Sequence, residues 1–136
     1  MTIKTIAILI IFSVTMLIIT PIITSVSNAS KESDAKNSLH SICVIEADYH
    51  AKNGGYFETP TGDQAKLINK NLFNGKKVLD EQSDYKYYIQ KFSSSSYRAY
   101  AIPKDKDSGL NKICIDHNDE FSFGSRCWQT PLYNLS

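Results

Sequence analysis

The chain has 136 residues, 42% of them apolar, enough for one domain of ordinary size plus a short membrane segment. Lys4 is the only charge before Lys31, so 14 basic residues meet 14 acidic ones in the remainder, which is neutral. No basic stripe interleaved with aromatics is present, and nucleic-acid binding by bulk electrostatics is not indicated.

From Ile6 to Ile23 the sequence is nearly all hydrophobic. As an uncleaved helix rising 1.5 Å per residue, it would cross most of a ~30 Å hydrocarbon core. Lys4 would then stay cytoplasmic and the remainder would lie outside. The rival reading is a cleavable signal peptide, because Ser27-Asn28-Ala29 puts small residues where a signal peptidase needs them. The expected division is therefore 1–29, a transmembrane and assembly helix or a signal peptide, and 30–136, an exported head.

Residues 30–53 read as helix. Ala35, Leu39, Ile42, Cys43, Glu46 and Tyr49 recur at three- and four-residue spacing, so one stripe faces a core. Asp34 is either a local cap or an exposed residue. Asn53-Gly54-Gly55 ends the helix, since Gly supplies the left-handed conformation of a helix stop. Residues 56–84 are irregular, with turn chemistry at Thr59-Pro60-Thr61-Gly62-Asp63 and a short helix from Gln64 to Leu72 that turns Leu67, Ile68 and Leu72 inward.

The remainder reads as an antiparallel meander. Tyr85 to Phe92 alternates, with Tyr85, Tyr87 and Ile89 on one face. Tyr97 to Ile102 is a second strand, Lys112 to Asp116 a third and Glu120 to Phe123 a fourth. Ile113 and Ile115 are expected inside, and Cys114 on the other face, where a tail bearing Cys127 and Trp128 could return. One helix covering one face of about four antiparallel strands is an α+β arrangement.

Export changes how Cys43, Cys114 and Cys127 read, because a bridge is expected in an oxidising compartment. Cys114–Cys127 spans a hairpin and is favoured over a bridge using Cys43; closing a loop of that size is worth roughly 3 kcal/mol. His40 and Cys43 are one helical turn apart, which more often means a core cysteine beside an exposed histidine than a nucleophile pair. Glu46 and His50 are four apart and read as a helix-surface pair. No HExxH, CxxC or P-loop pattern occurs. Asp105-Lys106-Asp107-Ser108-Gly109 could begin a calcium loop but lacks the Glu of an EF-hand, so a solvated loop is preferred; Asp116, Asp119 and Glu120 are read in the same way. Trp128, Tyr133 and Leu135 form an apolar tail, expected to pack on the sheet edge or to touch a neighbouring subunit.

In order and spacing these pieces resemble the type IV pilin and pseudopilin family. The likeness rests on the apolar segment with Pro21 late in it, and on Leu39-x-x-Ile42 followed by Glu46-Ala47-x-Tyr49-x-Ala51-x-Asn53-Gly54-Gly55-Tyr56. It continues through Tyr85-x-Tyr87-x-Ile89, Tyr97-Arg98-Ala99-Tyr100-Ala101-Ile102-Pro103 and Ile113-Cys114-Ile115-Asp116. Met1-Thr2-Ile3-Lys4-Thr5-Ile6 departs from the family's opening, a basic leader ending in Gly, then Phe and a nearby Glu; Lys4 or Thr5 stands where that Glu would be.

The resemblance implies a structural subunit, not an enzyme, of a type IV pilus or type II secretion filament. It would assemble through Ile6, Ile10, Val14, Leu17 and Pro21, with other pilin-like subunits and inner-membrane assembly machinery as partners. It implies an inner-membrane, single-pass location with a periplasmic head, carried outward in a filament. Some pseudopilins hold a calcium ion between their last strands; otherwise no cofactor is implied. The alternative is a small secreted periplasmic binding or inhibitor domain released after Ala29.

Overall fold

The computed structural model describes the backbone of residues 3–129 and the side chains of residues 27–129. Helix α1 spans Ile3–Asn53, α2 spans Ala65–Asn71, strands β1 to β4 span Tyr85–Ser93, Ser96–Pro103, Ile113–Asp116 and Phe121–Phe123, and a 3-10 turn spans Gly124–Trp128. The architecture is α+β, with a single antiparallel sheet in the order β1-β2-β3-β4.

α1 stops where Gly54 takes φ +75° and its N–H donates to the His50 carbonyl at 2.8 Å, the left-handed end that a residue with a Cβ disfavours. Its stripe is buried: Ala35, Leu39 and Ile42 pack on Tyr85, Tyr87, Ile89, Tyr97, Ile113 and Ile115. Ala99 and Ala101, fully buried on β2, leave room for a helix to lie close to the sheet. Asp34 is an exposed residue in mid-helix, not a cap.

α1 follows β3 along its length. Glu32 accepts from the Asn111 N–H at 3.0 Å near one end, and His40 Nδ1 lies 3.0 Å from Asp119 Oδ1 near the other. The irregular segment after α1 has a definite task, sealing the outer edge of β1. Thr59 exchanges two hydrogen bonds with Ile89, and the Gln64 N–H donates to the Tyr87 carbonyl at 2.8 Å. Buried Asn69 closes the next loop with its side-chain amide, accepting from the Leu79 N–H and donating to the Leu79 carbonyl. Ile68 of α2 and Leu72 at its C-terminal cap are inside, and Leu67 is half-buried.

The opposite face of the sheet carries a second, smaller core. Tyr88 and Tyr100 stack at 4.6 Å, and Cys114 pairs in register with Tyr100 and with Ser122. The 3-10 turn, which strand periodicity does not signal, begins at Gly124 (φ +59°) and brings Cys127 back beneath this face.

Candidate functional site

Two arrangements stand out. The first lies where α1 meets the segment that follows it. Glu46 occupies a core position of the α1 stripe and is fully buried. Oε1 accepts from the Phe57 N–H at 2.8 Å, while Oε2 has no hydrogen-bond partner among the described residues. Removal from water pushes the carboxyl up to about 7; the Phe57 N–H and the Lys91 ammonium pull weakly the other way.

The expected surface pair between Glu46 and His50 is therefore corrected. His50 instead lies against the Tyr56 ring at 4.3 Å, and Tyr56 against Tyr97 at 4.5 Å. The stripe itself was the signal that placed Glu46 inside, since Ile42, Glu46 and Tyr49 share one helix face.

Beside Glu46, the Cys43 thiol faces the Asp116 carbonyl at 3.7 Å and the Tyr97 hydroxyl. Burial, with smaller contributions from Asp119 and Asp116, raises the thiol and keeps it protonated. A nucleophilic cysteine needs the reverse. His40 turns its Nδ1 to Asp119 at the exposed surface, and the pair does not activate Cys43. Burial likewise raises the Tyr97 hydroxyl, with Cys43 the next contributor.

The second arrangement is on the outer face. Cys114 and Cys127 form a disulfide with Cα atoms 5.8 Å apart, and Cys43 is free. Buried Arg98 reaches from β2 to donate Nη1 to the carbonyls of Cys127 at 2.6 Å and Gln129 at 3.0 Å. This anchor was not legible, because an arginine at an outward strand position reads as solvent-facing. Trp128 packs 5.9 Å from Tyr100 on the inner strand β2, not on the sheet edge, with the Lys112 ammonium 4.9 Å from its ring. Tyr133 and Leu135 lie outside the described residues.

Asp105 and Asp107 are exposed, and Asp105 Oδ1 accepts from the Asp107 N–H at 2.9 Å. Asp116 uses its carboxylate on the N–H groups of Asn118 and Glu120. Among the described residues no group of three or more His, Cys, Asp or Glu could hold a metal ion. Among residues 27–129, whose side chains are described, no helix is long and apolar enough to cross a membrane. Ile6, Ile10, Val14, Leu17 and Pro21 fall within the backbone span of α1, but their side chains lie outside the described residues.

No protein-family profile matches the chain, and neither a curated protein nor a solved structure matches it.

Proposed function

We propose that this chain is a pilin-like structural subunit of a type IV pilus or type II secretion filament, working by assembly and not by catalysis. The observation that carries this reading is α1: one helix from Ile3 to Asn53 whose C-terminal part is the spine of an antiparallel head. The first described contact between helix and head is at Asn28, whose side chain donates to the Ser108 carbonyl at 3.5 Å. In this reading the apolar run from Ile6 to Ile23 waits in the inner membrane and then packs among like helices in the filament core. The heads remain outside, and subunits related head-to-tail form an open fibre.

The test replaces Ile10 and Leu17 with aspartate in the full chain. Filament output is expected to be lost while the head keeps its melting temperature. Normal output from this variant overturns the proposal.

A second reading is supported by the described core, whose residues from Ala35 to Cys127 all belong to the segment that cleavage after Ala29 would release. The product would be a small secreted periplasmic binding or inhibitor domain. Mass spectrometry of the mature protein separates the two. An N-terminus at Ser30 excludes the filament reading, and a retained apolar segment excludes the secreted one.

A further inference from the structure

The head is neutral overall, yet two of its grooves carry opposite excess charge. Strand alternation sends Lys86 and its register partner Ile102 to the outer face. There they line a groove with Lys104, Lys106 and Lys112, in which only Asp105 and Asp107 are acidic. The same alternation sends Tyr85 and Tyr87 to the helix face. The groove they line with α1 carries Asp34, Asp80 and Asp84 against a single cation, Lys31.

Some of these charges are already used: Lys31 lies 3.2 Å from Asp84, and Lys104 lies 3.6 Å from Asp63. Lys86, Lys106 and Lys112 on one side, and Asp34 and Asp80 on the other, have no ion pair among the described residues. Each groove also has an apolar element, Leu110 in the first and Val78, which is exposed, in the second.

We propose that the lysine groove of one head docks on the aspartate groove of a second copy of this chain. β1 separates the two grooves, so the contact forms between molecules. It is heterologous: each copy that uses its lysine face still offers its aspartate face, and the pairing repeats in one direction instead of closing into a pair. Exposed charge pairs add little affinity singly, but their arrangement selects orientation and register. The contact rests on the filament reading for its setting, and would supply the head-to-head register that apolar helix packing alone leaves loose.

The test uses full chains in membranes, with Cys43 replaced by serine. One chain carries Gln82→Cys in the aspartate groove and a co-expressed chain carries Asp107→Cys in the lysine groove. Oxidation is expected to give a mixed dimer that is absent when either chain is expressed alone. Its yield should fall about tenfold with Lys86→Glu and Lys106→Glu together, the scale of two lost charge pairs. Adding Asp34→Lys and Asp80→Lys to both chains should restore it, since the two faces then exchange sign. The cysteine pair without charge reversal should also lose the cross-link at about 1 M salt, where the screening length is ~3 Å, a reading that needs no charge-reversal variant to fold. No mixed dimer, or one indifferent to both salt and charge reversal, overturns the inference. Filament output is scored separately: filaments without the cross-link leave the filament reading standing and remove this contact. The cross-link without filaments does the opposite.

Discussion

Glu46→Gln isolates the energetic role of the buried carboxyl. The folded protein holds this proton up to a pH of about 7, whereas the free side chain releases it near 4.5. Between these values the folded state binds the extra proton. Stability is therefore greatest at the acid end of the window, falls as pH rises through it, and levels off above about 7. A gap of that width corresponds to about 3 kcal/mol, and for a head of roughly 100 residues about 4 °C per kcal/mol converts this to ~12 °C. Glutamine keeps the acceptor for the Phe57 N–H and cannot ionise, so it imitates the acid form at every pH. Its amide group replaces Oε2 where no partner is described, a cost that is the same at all pH values.

The assay is calorimetric melting of the wild-type and Glu46→Gln full chains in detergent from pH 5 to pH 8. The difference in melting temperature, variant minus wild type, should grow by about 10 °C between pH 5 and pH 8, since part of the window lies below pH 5. Other carboxylates titrate in both proteins and cancel in that difference. A difference that stays constant across the range, or that shrinks as pH rises, refutes the reasoning.

Replacing Cys114 and Cys127 with serine should lower stability by roughly 3 kcal/mol, because 13 residues of sequence separation are then no longer closed in the unfolded chain. Reductant should move the wild type to the same melting temperature and leave the double variant unchanged. Arg98→Met keeps much of the side-chain volume but removes the donors to Cys127 and Gln129. It should cost about 2 kcal/mol and speed hydrogen exchange at residues 127–129, with exchange in α1 unchanged.

Much of this molecule is written locally. Tyr85, Tyr87 and Ile89 alternate because a strand with one face on a core requires it, and Ala35, Leu39 and Ile42 repeat because a helix buries a stripe. Asn53-Gly54-Gly55 stops the helix by backbone conformation alone. The choice of Cys127 as the partner of Cys114 was also legible, since both flank one short hairpin. The sequence by itself thus determined the helices and strands, their order and most of the apolar residues that point inward.

Tertiary structure decided what the polar residues do. Glu46 lies inside by helical period, but whether a buried acid is tolerated depends on the Phe57 N–H, which returns to it only after the chain reverses. Arg98 is buried by a turn 29 residues further on, and Asn69 finds its partner in a loop 10 residues away. Thr59 and Gln64 look like turn chemistry until β1 presents an edge that needs hydrogen bonds. The physical reason is common to all five. Apolar burial is nondirectional and follows from period, whereas a polar group's fate rests on one atom placed to within a few tenths of an ångström by another part of the chain.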